Sequence, residues 1–332
     1  MTTLYVQRTG ATLTRQHSSF IIRFRDGDQL QRQSIPAEKV TEVIIGAGCH
    51  ITSGAIELLL SLQVPVSFVN FHDKYIGALC TPVNGNQALR RLQYVAVEDE
   101  MFCLSMARAF ITGKTNNQRT IILRYARECP ELEPAAEGMK TMISALGSAH
   151  DIETVMGMEG QTAKLHFQSL SVICGSDWAF NGRNRRPPRD PINAMLSYGY
   201  AILEGHVTSA LHRVGLDPYV GFMHTPFPGR RSLVMDLMEE FRPVIVDSAV
   251  LGIVGNRMLK PDDFHTTDEG CRLEDEARKV FLSKLQGRFD QTTTHPITQE
   301  KTTYSGLIYA QARQIASILF GEWQDYTPMR IR

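Results

Sequence analysis

The hydrophobic pattern of this 332-residue chain changes its period near residue 86, and no single type of secondary structure can satisfy both parts. Before that point, short runs of β-branched and aromatic residues alternate with polar ones, as in FIIRFR at residues 20–25. After it, apolar residues recur every three or four positions, which is the spacing of amphipathic helices. We therefore predict an α+β protein with two domains, a small β-rich N-terminal domain at residues 1–86 and a larger all-α domain at residues 87–332.

Five strands, one hairpin and one helix are predicted in the first part. Asp-Gly-Asp at residues 26–28 is a turn signal that joins FIIRFR to the following segment LQRQSI. Thr52 or Ser53 can cap a helix with the apolar sequence AIELLLSL. Pro, Asn and Gly in TPVNGNQ, at residues 81–87, predict a linker. The predicted strands lie at residues 4–7, 20–25, 40–45, 64–69 and 76–80.

The second part is predicted to be helical almost throughout, with Gly113, Pro130 and Gly147 as breaks between helices. The segment TTDEGCRLEDEARKVFLSKL predicts a capped, amphipathic surface helix. The helix that begins at residue 232 is expected to continue beyond Pro243. The predicted helices lie at residues 88–112, 116–128, 135–146, 152–171, 191–214, 232–255, 267–286 and 301–320.

The composition is that of a globular protein, and it limits the possible partners. Apolar residues make up 43% of the chain and charged residues 21%. Lys+Arg and Asp+Glu number 35 each, so nucleic-acid binding must come from local basic patches rather than from the net charge. The six cysteines form no CxxC pair, and neither a secretory signal nor a membrane-spanning run is present. These features predict a cytoplasmic protein with reduced thiols and no membrane partner.

A histidine in a Gly- and Pro-bounded loop precedes a short acidic helix. His224 stands before the helix SLVMDLMEEF, which contains Asp236, Glu239 and Glu240. One imidazole with two carboxylates is a ligand set for a divalent ion such as Mn²⁺ or Mg²⁺. Two other interpretations stay open, a surface helix with a solvated acidic face and a structural histidine held by hydrogen bonds. Arg242, directly behind the acids, can also pair with them structurally.

A second acidic candidate, Glu159, lies in the segment MGMEGQTAKLHF. Small residues around it leave the backbone accessible, so its carboxylate can approach a ligand closely. The alternative is an acid in the first turn of a helix, which stabilises the helix dipole by a few tenths of a kcal/mol. The residues of this segment alone do not decide between these two roles.

The most basic segment of the chain is NGRNRRPPRDPINAM. It carries Arg183, Arg185, Arg186 and Arg189 around two prolines, just before a helix that Asp190 can cap. Guanidinium groups on such a stiff loop suit bidentate contacts with phosphates. A solvated basic loop, or arginines that neutralise the acidic helix, is the alternative. Two further arginines, Arg230 and Arg231, extend the same positive surface.

Taken together, these segments resemble the CRISPR-associated integrase-endonuclease family, the first of the two universal spacer-acquisition proteins. The resemblance is carried by GMEGQTAKLHF, NGRNRRPPRDPINAMLSYGYAIL, GLDPYVGFMHTPFPGRRSLVMDLMEEFRPVIVD and TTDEGCRLEDEARKVFLSKL. The N-terminal stretch ITSGAIELLLSLQVPVSFVNFHDKYIGAL is also similar to that family's β-domain. The resemblance therefore covers nearly the whole chain, and this combination of motifs is highly specific.

The resemblance implies a β-rich domain that dimerises and a helical catalytic domain that binds manganese or magnesium. Matched residue by residue, the implied catalytic metal ligands are Glu159, His224 and Glu239, with Asp236 as a further acid close to the metal. Many relatives have aspartate where Glu239 stands, and both side chains bind hard cations. The resemblance also implies that Lys164 and the arginines bind double-stranded DNA through its backbone. A small ferredoxin-like partner that bridges two dimers is implied as well.

The implied reaction is phosphoryl transfer. The 3′-hydroxyl of a short DNA fragment attacks a phosphodiester at the edge of a CRISPR repeat, and water in its place would nick DNA as a hydrolase does. Within enzymes, the alternatives are a stand-alone nuclease that cuts branched DNA and a transposase-like relative acting outside CRISPR. From another class, a non-catalytic DNA-binding scaffold is possible. The charged triad disfavours the scaffold, because crowded charges destabilise a protein that has no use for them.

Overall fold

Two four-stranded sheets form the N-terminal part of the protein in the computed structural model, which describes residues 2–27, 29–62, 64–70, 75–79, 87–225 and 227–331. One sheet has the order β1-β5-β7-β8 and the other β4-β3-β2-β6. The elements are β1 (Thr2–Val6), β2 (Thr12–Gln16), β3 (Ser19–Asp26), β4 (Gln29–Pro36), β5 (Val40–Ile45), β6 (His50–Ile51), α1 (Ser53–Ser61), β7 (Val66–Val69) and β8 (Tyr75–Leu79).

The apolar faces of both sheets and of α1 share one core. Leu13, Phe20, Val43, Leu59 and Val66 are completely buried in it. The predicted strands and the helix are confirmed in this part, although the strand β2 was missed because its sequence, TLTRQ, is mostly polar. Since β-branched residues alternate with polar ones, each strand can present one face to this core.

The predicted hairpin after FIIRFR is confirmed by the antiparallel pairing of β3 with β4. Asp26 pairs with Gln29 at the end of this ladder. Gly27 has a φ of +60°, a conformation that glycine adopts without strain. Asp28, Cys80 and residues 81–86 of the predicted linker lie outside the described residues, and the predicted boundary at residue 86 stays a prediction.

The rest of the described chain is mostly helical, which confirms the predicted order of a β-rich part followed by a helical one. Among the described residues, no helix is both long enough and apolar enough to cross a bilayer. The elements are α2 (Gln87–Ala96), α3 (Glu100–Ala126), α4 (Glu133–Leu146), α5 (Ile152–Cys174), α6 (Pro191–Val214), α7 (Ser232–Phe241), α8 (Ser248–Gly255), β9 (Phe264–Thr267), β10 (Gly270–Leu273), α9 (Asp275–Asp290), β11 (Thr292–Thr294), β12 (Lys301–Thr303) and α10 (Tyr304–Leu319).

The predicted break at Gly113 is wrong, because α3 runs through it without interruption. The chain breaks earlier, and Asp99 caps α3 by accepting hydrogen bonds from the N–H groups of Met101 (2.9 Å) and Phe102 (3.1 Å). Gly113 has a different function. A Cβ at this position would lie 2.5 Å from Cβ of Pro328, so the glycine lets the C-terminal segment approach α3 closely.

The predicted helix at residues 267–286 is partly wrong, because β9 and β10 form a hairpin before α9 begins. Gly270 has a φ of +126°, and a Cβ there would lie 2.7 Å from Cβ of Pro187. The hairpin therefore packs directly against the proline-rich loop, a contact that helical periodicity does not reveal. A second short hairpin pairs β11 with β12, so the predicted all-α domain contains two small antiparallel additions.

The helix α7 continues, as predicted, beyond Pro243, but through a wider turn. Residues Arg242–Asp247 form a π-helical segment that leads into α8. Proline has no N–H to donate within an α-helix, and such a local widening accommodates it. This turn directs Arg242 and Asp247 towards the interior, between α5 and α6.

The C-terminal segment after α10 is bound to α3 and α7 by buried hydrogen bonds. The carboxylate of Glu240 accepts hydrogen bonds from the Tyr326 hydroxyl and from the backbone N–H of Met329. The Asn117 amide on α3 donates to the carbonyl oxygens of Glu240 (2.9 Å) and Met329 (3.0 Å). Since Glu240 is completely buried, these donors replace the water that its carboxylate would otherwise bind.

The pKa of Glu240 makes stability depend on pH. Burial raises this pKa from 4.5 to about 7, and the hydrogen bonds oppose the rise only in part. The folded state therefore binds a proton more tightly than the unfolded state does, so the free energy of unfolding falls as pH rises from about 4.5 to 7. At 1.36 kcal/mol per pKa unit, the fall is about 3 kcal/mol.

We expect this fall in wild type and its absence in Glu240→Gln, measured by urea unfolding between pH 5 and pH 8. The exposed Glu98→Gln is the matched control and keeps the wild-type profile. Parallel profiles for wild type and Glu240→Gln would show that Glu240 does not titrate in this range.

Candidate active site

The three predicted metal ligands line one cavity of about 710 Å³. Glu159 comes from α5, His224 from the loop between α6 and α7, and Glu239 from α7. The remaining lining is strongly basic and partly apolar. It consists of Met156, Arg185, Arg186, Glu204, Met223, Phe227, Pro228, Gly229, Arg230, Arg231, Met235 and Arg242.

Glu159 lies two turns inside α5, whose N-cap is Asp151, which accepts a hydrogen bond from the N–H of Thr154 (2.6 Å). An acidic side chain stabilises a helix through the helix dipole only when it lies within the first turn. The alternative role of Glu159 as a dipole-stabilising residue is therefore not supported. Its carboxylate is instead directed into the cavity.

The acidic helix α7 is buried, so the interpretation as a solvated surface helix is wrong. Asp236 and Glu240 are completely buried, and Glu239 is only 4% exposed. Each acid has a different environment, since Glu239 faces the cavity and Glu240 faces the C-terminal segment. Helical periodicity predicted that these three acids cluster on one side of the helix. It could not show which residues contact each of them.

Asp236 is a positioning residue for His224. Its Oδ2 accepts from the N–H groups of Phe222 (2.7 Å) and Met223 (3.1 Å), and its Oδ1 accepts from the N–H (3.0 Å) and Nδ1 (2.7 Å) of His224. A Cβ at Gly221 would lie 2.6 Å from Oδ2, so glycine permits this close turn. The structure does not support the predicted role of Asp236 as a metal ligand, because both oxygens are engaged and the side chain does not line the cavity.

The contact with Asp236 determines which nitrogen of His224 is available. A carboxylate only accepts, so Nδ1 donates to Asp236, and Nε2 is the ring nitrogen left outside this contact. Histidine ligands of metals are commonly oriented by such a carboxylate. The contact therefore makes Nε2 the nitrogen that could bind a cation.

A buried lysine lies between Glu159 and Glu239, two of the carboxylates that line the cavity. The ammonium group of Lys114, on α3, contacts Oε1 of Glu159 and lies 2.5 Å from Oε2 of Glu239. This Oε2 has no partner with hydrogen-bond geometry, so the ion pair with Lys114 is its main compensation. The sequence did not identify Lys114, although a lysine within the otherwise buried stretch of α3 was a signal, since lysine is rarely buried unless paired.

Charges around Glu239 keep it ionised. Burial raises its pKa, but the positive charges of Arg242 and Lys114 outweigh burial and lower the pKa from 4.5 to about 2. Arg242 lies 3.5 Å from Oε1 of Glu239, and its guanidinium group stacks over the ring of Tyr200. Arg242 therefore does pair with the acidic helix, as the sequence allowed. Glu239 makes this ion pair and also lines the cavity.

The donor atoms suit a divalent cation by their chemical type, but their present positions do not form a metal site. Among the described residues, no three His, Cys, Asp or Glu side chains converge closely enough to bind a metal ion. The Lys114 ammonium separates Glu159 from Glu239 and already fills the position of a cation. One imidazole nitrogen and two ionised carboxylates around one cavity remain a suitable set for Mn²⁺ or Mg²⁺.

Four of the predicted DNA-binding arginines line the cavity. Arg185, Arg186 and Arg230 are exposed at its rim, where they can contact phosphates. Arg231 lies deeper and pairs with Glu204 at 2.6 Å. The clustering predicted from sequence therefore becomes a positive rim on one side of the carboxylates.

The other predicted DNA-binding residues do not line the cavity. Arg183 points inward, where it donates to Oδ1 of Asn193 (2.8 Å) and Oγ of Ser197 (3.0 Å), so its role is structural and its prediction as a DNA contact is not supported. Arg189 donates to the carbonyl oxygen of Asp268 (3.0 Å) and stays exposed. Lys164 is exposed on α5, away from the cavity lining.

Replacing Asp236 by asparagine should destabilise the protein. The new NH₂ group would face donors where an acceptor is needed, so we expect the free energy of unfolding to fall by about 3 kcal/mol. Urea unfolding measures this. Asp275→Asn is the control, because its exposed carboxylate pairs only at the surface, and we expect a change below about 1 kcal/mol. Equal small changes would mean that Asp236 does not support the His224 loop.

Sequence comparison identifies relatives along the whole chain. The family profile described as "CRISPR associated protein Cas1" matches residues 4–287. A curated relative, "CRISPR-associated endonuclease Cas1 2" of Rhodospirillum rubrum, is 35% identical and covers 99% of this chain and 98% of its own length.

Solved structures show the same fold. A casposase bound to an integration product has a TM-score of 0.86 at 25% identity, and the match covers 100% of this chain and 95% of that chain. A Cas6-RT-Cas1–Cas2 complex, at 24% identity, has a TM-score of 0.79 over 98% of this chain and 36% of that chain. Because the profile spans most of the sequence and the curated relative aligns along nearly all of it, the chain belongs to the Cas1 family of CRISPR-associated proteins.

Proposed function

We propose that the protein is a metal-dependent DNA integrase and endonuclease that inserts short foreign DNA fragments into CRISPR arrays, as part of prokaryotic adaptive immunity. The observation that carries this proposal is the meeting of Glu159, His224 and Glu239 in one cavity with an arginine rim. Residues from three separate elements converge there, which a non-catalytic scaffold would not require.

The chain's own residues would bind, orient and neutralise the DNA. Arg185, Arg186 and Arg230 would contact the phosphates on either side of the reacting one. Glu159, Glu239 and Nε2 of His224 would bind the metal, with Asp236 keeping the imidazole in place. When bound, Mn²⁺ or Mg²⁺ supplies Lewis-acid activation of the attacking hydroxyl and neutralises negative charge on the phosphate.

The proposed reaction exchanges one phosphodiester bond for another. The 3′-oxygen of the fragment forms a bond with a phosphorus atom at the repeat edge, and the bond from that phosphorus to the 3′-oxygen of the repeat strand breaks. The proton of the attacking hydroxyl is lost to solvent or to a nearby base, and a new 3′-hydroxyl is released. Water as the attacking group would give hydrolysis instead, so integration and nicking use one site.

The proposed partners are a second copy of this chain, double-stranded DNA and a small ferredoxin-like protein. The DNA includes both the spacer precursor and the CRISPR repeat. The similarity to a solved complex that contains Cas1 and Cas2 supports a second protein partner, and the similarity to a casposase bound to integration product supports DNA binding. We place this assembly in the cytoplasm, in line with the free thiols of the five described cysteines.

The similarity to a casposase favours a second candidate function, integration outside a CRISPR array. The same residues would then join DNA ends without a requirement for the repeat. Strand transfer of a 3′-hydroxyl oligonucleotide into plasmids with and without a CRISPR repeat distinguishes the two. Preference for the repeat edge supports the first proposal, and equal insertion into both plasmids supports the second.

Loss of any proposed ligand should abolish strand transfer but not DNA binding. We expect Glu159→Ala, His224→Ala and Glu239→Ala each to lower the rate by at least about 100-fold, because metal affinity and orientation are lost. Duplex affinity measured without metal should stay within about 3-fold, since phosphate contacts supply it. The assay is repeated with manganese and with chelator, and circular dichroism checks the fold. A parallel loss of binding and activity would make these residues structural.

The arginine rim should account for part of the salt dependence of DNA binding. Each phosphate contact contributes about 0.9 to the slope of log K against log salt, so Arg185→Ala with Arg186→Ala should reduce its magnitude by up to about 2. The control is the double variant Arg127→Ala with Lys140→Ala, two exposed cations that do not line the cavity. An unchanged slope in the rim variant would exclude this loop from the interface.

A further inference from the structure

The buried ammonium of Lys114 lies between Glu159 and Glu239, the two carboxylates that would hold a metal ion together with His224. Lys114 is 6% exposed at its side chain, and its partners come from α5 and α7. Arg242 cannot replace it, because Arg242 approaches the other oxygen of Glu239, Oε1, at 3.5 Å. Among the described residues, Lys114 is therefore the cation whose ion pairs join Glu159 to Glu239.

The backbone on both sides of Lys114 is packed against the C-terminal segment. Gly113 is packed against Pro328, and Asn117 is hydrogen-bonded both to Glu240 and to the C-terminal segment. The lysine side chain has a flexible four-carbon chain, so a change of rotamer moves its ammonium while Cα stays in place. The ammonium can thus leave the carboxylates without a movement of α3.

Lys114 and Arg242 are the cations in contact with Glu159 and Glu239, and their two positive charges offset the two negative ones. A divalent cation added to this set would meet an ammonium at the same oxygens. Like charges at such short distances repel strongly in a buried site, so the ammonium and the metal exclude each other.

We propose that Lys114 is a built-in competitor for the divalent cation, and that it couples metal binding to DNA binding. This rests on the proposed function of the same site. In the metal-free protein the ammonium neutralises Glu159 and Glu239, and it must leave their oxygens before a metal can bind. A DNA phosphate in the cavity gives the displaced ammonium a new anionic partner. DNA therefore strengthens metal binding, and by linkage metal strengthens DNA binding equally.

The test is a titration of the full chain with Mn²⁺ in the absence of DNA. The electron paramagnetic resonance signal of free Mn²⁺ measures how much of the ion is bound. We expect Lys114→Met and Lys114→Gln to lower the Kd by about tenfold or more, because one competing charge is removed. Lys114→Arg keeps the positive charge, so its affinity for Mn²⁺ should stay as weak as that of wild type. Lys140→Met, at an exposed lysine on α4 that does not line the cavity, is the matched control, and its Kd should stay within about twofold of that of wild type.

Thermal unfolding supplies a second measurement. Without metal, Lys114→Met should unfold at a lower temperature than wild type, because two buried carboxylates lose their counter-charge. Saturating Mn²⁺ should raise its Tm by more than that of wild type, since tighter binding to the folded state gives more stabilisation. A short duplex with a 3′-hydroxyl should tighten Mn²⁺ binding in wild type and have a smaller effect in Lys114→Met.

The outcomes separate the competition from the metal site itself. If wild type and Lys114→Met bind Mn²⁺ equally, and Glu159→Gln weakens both, the metal site stands and the competition is overturned. Weaker binding by Lys114→Met, or a variant that stays unfolded at saturating Mn²⁺, also overturns it, because the lysine would then be a structural requirement. If neither protein binds Mn²⁺ at all, the proposed metal site fails and the competition fails with it.

Discussion

The meeting of one ammonium and two carboxylates in the interior links the three helices on which the rest of the helical part depends. Lys114 comes from α3, Glu159 from α5 and Glu239 from α7, and the ammonium contacts both carboxylates. Removal of one partner from a buried ion pair commonly destabilises a protein by about 3–5 kcal/mol. The packing of the helices and the geometry of the site are therefore one and the same constraint.

The surroundings of α7 show how one charged sequence is divided among different roles. Glu239 is kept ionised at the cavity, and Glu240 binds the C-terminal segment. Asp236 orients His224 by accepting a hydrogen bond from its Nδ1. The same division applies to the basic loop, where Arg185 lies at the cavity rim and Arg183 is used inside the fold. Residue type sets what a side chain can bind, and its neighbours decide which of those interactions it makes.

Much of the architecture could be predicted because it depends on local patterns. Strand alternation, the turn after FIIRFR and the cap at Asp190 each require only a few consecutive residues, and the structure confirms them. Errors arose where a glycine served a distant contact. Gly113 was interpreted as a helix break and Gly270 was placed inside the predicted helix 267–286, whereas each allows a proline from another segment to approach closely. Local spacing carries no information about such an approach.

Motifs along the chain were enough to predict the order of a β-rich part and a helical part, the family, and Glu159, His224 and Glu239 as candidates for one site. Three features became visible only after the helices were packed: which acids face the cavity, how Asp236 orients His224, and how Lys114 joins the carboxylates. Motifs record residue types along the chain, whereas buried charges are compensated across space. A lysine 45 residues from its partner becomes recognisable only once the helices are packed.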